Sequence, residues 1–125
     1  MTLSVSVEAV LDDAALLARL KPRFSEAAQV LGRAVCEDCG PYVPYDTGAL
    51  FESGHVGEVY ASEDSLIAPV IWDVPYAASV YYGDRCGVRY STEHHVHARA
   101  RWSEGARIGG AARWQECVRA VLDGA

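Results

Sequence analysis

Apolar and polar positions change period several times along this chain, and each change marks an element. Leu3, Val5 and Val7 alternate with Thr2, Ser4 and Ser6, the period-two pattern of a half-buried strand, expected at a sheet edge. Over residues 8–20 the period lengthens: Val10, Ala14 and Leu17 recur at helical spacing, with Asp12 and Asp13 near the positive end of the dipole, so a first helix is expected. Lys21-Pro22 interrupts it, because a proline ring disfavours helical backbone in the residue before it yet suits the first turn of a new helix. A second helix is therefore expected from Pro22. Its stripe is Phe24, Ala27, Ala28, Leu31, Ala34 and Val35, and Gly40-Pro41 stops it.

Residues 43–53 form a punctuated stretch. Pro44 makes the preceding residues extended, Asp46 or Thr47 caps the following amides, Gly48 permits the turn, and Leu50 and Phe51 face inward from a short helix. Residues 56–60 and 66–74 are rich in β-branched and aromatic side chains, and residues 61–65 have the composition of a hairpin loop between two antiparallel strands. Residues 75–83 read as a short helix with Pro75 in its first turn and Gly83 as its stop. Residues 84–93 are polar and irregular, and residues 92–98 suit a strand or an extended arm.

Ala100, Trp102, Ala106 and Ile108, then Ala112, Trp114, Cys117, Val118 and Val121, describe helical segments on either side of Gly109-Gly110, where a bend or break is expected. The sum is one α+β domain over residues 1–125: a small, mostly antiparallel β-sheet packed against a long helix from the N-terminal half and against C-terminal helices.

Composition narrows the function classes. No apolar run approaches the ~20 residues that span a bilayer, and no export signal is visible, so a soluble, unexported chain with no membrane partner is expected. In that setting Cys36, Cys39, Cys86 and Cys117 read as thiols rather than disulfides. The net charge is −6, but residues 1–60 hold nine acids and four bases while residues 94–125 hold three acids and five bases. A single lysine, Lys21, and scattered arginines make no nucleic-acid footprint; opposed acidic and basic regions suit head-to-tail contacts between copies.

Candidate chemistry is sparse. Cys36 and Cys39 have the C-x₂-C spacing of redox dithiols and zinc half-sites, but they close a helix, where the dipole opposes a thiolate. Zinc would need them to join Cys86, Cys117 or one of His94, His95 and His97, and no second close pair follows at finger-like spacing. The plainer reading makes Cys36 and Cys117 small buried hydrophobes. His95 and His97 would share one face of a strand without a third ligand at a telling interval. Ser53-Gly54-His55 lacks the nucleophile elbow, there is no phosphate loop, and no cofactor or enzymatic activity is expected. Tyr42, Tyr45, Trp72, Tyr76, Tyr81, Tyr82, Trp102 and Trp114 read as core or half-buried rings that also suit the centre of an interface.

Four motifs then stand in order: Tyr42-Val43-Pro44-Tyr45-Asp46-Thr47-Gly48-Ala49-Leu50 with Ser53, Ile71-Trp72-Asp73-Val74-Pro75-Tyr76-Ala77, Tyr81-Tyr82-Gly83, and Ala100-Arg101-Trp102-Ser103-Glu104. Their order resembles the minor capsid proteins of tailed bacteriophages and prophages that join head to tail, over residues 24–107. The resemblance implies a non-enzymatic virion component of the neck, of the tail-completion or head-tail connector type, acting as a ring of identical subunits such as a hexamer or dodecamer. It implies neighbouring head-closure, connector and tail proteins as partners, non-specific passage of DNA through the lumen, and residence in host cytoplasm during assembly. Pro44, Tyr45, Asp46, Thr47, Gly48, Leu50, Trp72, Pro75, Tyr76, Tyr82, Gly83 and Trp102 are the motif and interface residues it points to. The cysteines and histidines lie outside that pattern, so a small zinc-binding or regulatory interaction domain is the alternative, and a small hydrolase using His55 or His97 comes last.

Overall fold

The computed structural model describes residues 1–8, 14–62, 65–87 and 89–123. It is an α+β fold in which one strand organises the sheet. β1 (Thr2–Glu8), β2 (Gly54–Val56) and β3 (Tyr60–Ser62) each pair antiparallel with β4 (Ser65–Trp72), and β1 and β2 flank β4 on opposite sides. β1 is an edge strand, as its alternation predicts, with Leu3 and Val5 turned to the helices and Thr2, Ser4 and Ser6 exposed. On β4 the side chains of Ala68, Val70 and Trp72 are buried, and the alternate positions form the outer face.

The single strand expected over residues 56–60 is two strands. In β2 Val56 stands opposite Val70, whereas in β3 Tyr60 stands opposite Ile67, so three residues of one side span two of the other. That one-residue surplus is a bulge, and it lies across from Pro69. A proline inside a central strand lacks an amide to donate, and the bulge sits where that donor would be missed: Pro69 still accepts from the Gly57 amide at 2.8 Å. β4 ends at Trp72, short of the expected Val74, and the expected loop over residues 61–65 is tighter because Ala61, Ser62 and Ser65 belong to strands. Glu63 and Asp64 lie outside the described residues.

α1 (Ala14–Cys39) is one continuous helix through Pro22, so the expected break at Lys21-Pro22 is absent. An internal proline costs about 3 kcal/mol through one lost hydrogen bond and a ring clash. Here Pro22 is exposed, where water can hydrate the carbonyl it leaves unpaired, and the helix propagates strongly on its C-terminal side. Of the earlier helix expected over residues 8–20, Glu8 belongs to β1, residues 9–13 lie outside the described residues, and the remainder is α1 itself. The expected stripe holds: Ala27, Ala28, Ala34 and Val35 are buried, with Phe24 and Leu31 packed against them. Gly40 ends the α-helix and opens a 3₁₀ turn, Gly40–Tyr42.

α4 (Trp102–Asp123) runs antiparallel beside α1, since Asp38 meets Arg113 and Trp114 at one end while Ala27 and Ala28 share a cluster with Val118, Val121 and Leu122 at the other. It starts after Ala98 and Ala100, which lie outside the helix, and it passes straight through Gly109-Gly110 instead of breaking there. The reason is close approach: a Cβ on buried Gly110 would lie 3.0 Å from Asp38 Oδ2 and from the Trp114 ring. Residues 92–98 form no strand, and Gly83 opens a second 3₁₀ turn, Gly83–Cys86, instead of stopping the helix α3 (Ala77–Tyr81).

Candidate functional site

The 43–53 stretch builds one wall of the site. Gly48 has φ +91°, a left-handed conformation that glycine adopts without strain, and it precedes the four-residue α2 (Ala49–Glu52). Thr47 Oγ1 accepts from the Ala49 amide at 3.3 Å, and Ser53 Oγ donates to the Leu50 carbonyl at 2.7 Å. Thr47 therefore supplies the local cap and Asp46 stays exposed. The Tyr45 ring folds over Gly48 so closely that a Cβ there would lie 2.7 Å from Tyr45 Oη.

Leu50 is buried, but Phe51, expected to face inward, is 40 % exposed, because one turn of helix cannot bury two adjacent side chains in the same core. Phe51 packs sideways on Tyr45 and His95 instead, at 6.0 and 5.0 Å between ring centroids.

Across from this wall stands the Pro-Tyr-Ala segment. Pro44, Tyr45, Asp46, Thr47, Gly48 and Leu50 face Tyr76, Val80, Arg89 and Tyr90 over an open cavity of about 580 Å³. Tyr76 is exposed at its lip, and Tyr90 Oη donates to the Val80 carbonyl, which fixes the polar stretch against α3. Val80, Arg89, Tyr90 and Ser91 are lining residues that sequence reasoning missed; the available signal, for Tyr90, was an aromatic ring stranded in a polar run.

In the core that buries Leu50, Tyr81 and Trp102 of the remaining motifs meet Trp72. Trp72 and Trp102 pack edge to face at 5.4 Å between centroids, and Tyr81 packs on Trp102 at 4.6 Å. The Trp102 indole N–H is buried without a hydrogen-bond partner among the described residues. The Tyr81 and Ser103 hydroxyls hydrogen-bond, while burial pushes the Tyr81 phenol above its ordinary pKa.

Tyr82 turns outward, with the guanidinium carbons of Arg85 and Arg101 at 5.0 and 5.2 Å from its ring centre, as cation–π pairs require. Arg101 has φ +50°, rare for a side-chain-bearing residue, and is held there by Asp84 at 2.9 Å and by its amide donating to the Tyr81 carbonyl. The Arg101 hydrogen bond in turn holds the Asp84 carboxyl below its ordinary pKa. The expected site residues thus divide: Leu50, Trp72, Gly83, Trp102 and Gly48 are buried, Pro44 and Tyr45 are half-buried, and Asp46, Thr47, Pro75, Tyr76 and Tyr82 are exposed.

The candidate metal ligands are not gathered. Among the described residues no three of His, Cys, Asp or Glu stand together as a metal site. Among the described thiols Cys39, not Cys36 or Cys117, is fully buried; it lies in the core with Val43 and Trp102. Burial, reinforced by Cys36 and Asp38, pushes its pKa to about 12, the opposite of an activated nucleophile. His95 and His97 share no strand face: His95 Nδ1–H donates to the Val43 carbonyl at 2.7 Å, and the His97 ring lies against Tyr42.

No helix among the described residues is long and apolar enough to cross a membrane. No protein-family model, curated protein or solved structure matches this chain.

Proposed function

We propose that this chain is a structural protein of the tailed-bacteriophage neck, joining head to tail as one subunit of an oligomeric ring, of the tail-completion or connector type. One observation carries the reading. Two of the motif segments that suggested it, the Pro44 to Leu50 stretch and Tyr76, some thirty residues apart in the chain, face each other across one cavity, and Trp72 of the second motif packs in the core on Trp102 of the fourth. A subunit of a ring needs a firm body and a surface that presents side chains to a neighbour. Here Trp72, Trp102, Tyr81 and Leu50 make the body, while Tyr45, Tyr76 and Tyr82 offer amphipathic rings at the surface, the residue type favoured at interface centres.

The acidic net charge of −6 suits a lumen through which DNA slides without adhering. Ring neighbours, head-closure and tail proteins are the partners this role requires. Protein mass spectrometry and cross-linking of purified particles test it: the chain is expected in the virion, cross-linked to portal-side and tail-side proteins, and its absence from particles would sink the reading.

A further inference from the structure

We infer that the groove between β1, α1 and the C-terminal half of α4 receives residues 93–97 of a second copy of this chain. The inference deepens the ring reading and rests on it, by naming the surfaces through which the copies meet.

The groove has a volume of about 560 Å³ and is lined by Val5, Leu31, Val35, Trp114, Val118 and Leu122. Its mouth carries exposed Ala111, with Arg107 at one end and Arg119 and Asp123 toward the C-terminal end of α4. Arg119 is paired with Glu116, but Arg107 has no ion pair among the described residues.

The segment that matches it lies elsewhere on the molecule. His95 is turned inward, bonded to the Val43 carbonyl and packed on Tyr45, and the His97 ring lies on Tyr42. Val96 between them is 73 % exposed, thrust outward by the anchoring of both neighbours. Glu93 beside it is exposed and has no ion pair among the described residues. Two further bonds hold the presentation: the Ala98 amide donates to the His95 carbonyl, and the Arg99 amide to the Tyr42 carbonyl.

The two surfaces complement each other in charge and spacing. Glu93 and Val96 are separated by at most about 10 Å of extended chain. Arg107 and Ala111 are one helical turn apart, about 6 Å. One copy can therefore place its carboxylate on the unpaired guanidinium while its valine enters the apolar mouth. An arm-to-arm contact would instead set Glu93 against Glu93.

The surfaces also lie apart. The arm is fixed at the C-terminal end of α1, through Tyr42 and Val43, whereas the groove runs from Val35 toward Leu31 and the C-terminal end of α4. Contacts between different surfaces of identical chains are head-to-tail, the kind that closes into rings.

Sedimentation velocity of the purified full chain over a concentration series, with Val96→Asp and Ala111→Glu, tests the inference. Both positions are exposed, so circular dichroism and melting should match the unsubstituted chain. Each substitution is expected to weaken self-association at least tenfold. An equal mixture of the two variants is expected to give dimers and nothing larger, because one intact arm then meets one intact groove.

Unweakened association by both variants would overturn the arm-in-groove contact and leave a ring built through another surface. A chain that stays monomeric at every concentration would also overturn it, as would a groove that binds a different protein in an Ala111-sensitive way while the chain does not self-associate. The neck reading itself is judged separately, by whether the chain is found in particles.

Discussion

Trp114 donates its indole N–H to Asp38 at 2.6 Å, and Arg113 donates to both oxygens of the same carboxylate, at 2.6 and 3.2 Å. One half-buried acid thus fastens the end of α1 to α4, at the point where Gly110 leaves room for it. Hydrogen bonds to a charged acceptor contribute roughly 1.5–3 kcal/mol. Asp38→Ala is expected to cost about 2 kcal/mol in urea unfolding. Asp38→Asn should cost less, because its amide oxygen still accepts from Trp114. Equal losses for the two would mean that the charge, not the geometry, holds the helices.

Gly48 combines a positive φ with the Tyr45 ring lying on it. Gly48→Ala is expected to lower stability by about 1–2 kcal/mol, through backbone strain at positive φ and because its Cβ already presses on the Tyr45 ring. Gly48→Val should lower it further, since the branched side chain must push Tyr45 farther than a lone Cβ does and fits a positive φ less well. Thermal melting of both variants checks the order, and a Val variant as stable as the Ala variant would show that Tyr45 moves aside freely.

Trp102 is fully buried against Trp72 and Tyr81, so Trp102→Ala should cost about 3–5 kcal/mol. Its indole N–H has no partner to lose. Trp102→Phe should therefore cost well under half as much, reflecting lost volume and no lost hydrogen bond. Similar penalties for Phe and Ala, measured in denaturant, would point to an N–H contact that matters in solution.

Cys39 makes the fold sensitive to alkali. Its folded pKa of about 12 lies above the ordinary thiol value of 9.0, so the folded state holds a proton that the unfolded chain releases. The stabilisation is complete below pH 9 and is lost progressively as pH rises toward 12, to a maximum of about 4 kcal/mol. Cys39→Ala should flatten this alkaline loss. Alkylation followed by mass spectrometry at pH 8 should label Cys36 and Cys117 well before Cys39, and prompt labelling of Cys39 would contradict its burial.

What the sequence made legible follows from where periodicity is enforced by a single face. The stripe from Phe24 to Val35 and the alternation in β1 each pack against one surface, so their patterns survive in the chain. The misread points are those where a tertiary partner overrides a local signal. Gly109-Gly110 looks like a break, but Gly110 is small because Asp38 and Trp114 press on it. Pro22 looks like a boundary, but at an exposed position its lost bond and ring clash do not stop so long a helix. Pro69 carried a signal in the other direction, since a proline in a strongly β-forming run announces the bulge opposite it. At the site, the Pro44 to Leu50 wall was visible as a motif. Its opposite wall was only half visible, because Arg89 and Tyr90 sit in a stretch without period.

The sheet's dependence on β4 also bears on how the chain is made. Every described strand pairs with Ser65–Trp72 and with nothing else, so β1, synthesised first, has no partner until some sixty residues more have been added. At about 5–20 residues per second that is a wait of several seconds, during which Leu3, Val5 and Val7 offer an unpaired edge. Translation rate and chaperone supply, rather than equilibrium stability, should therefore govern how much of this protein reaches its native state in a cell that is producing many copies at once.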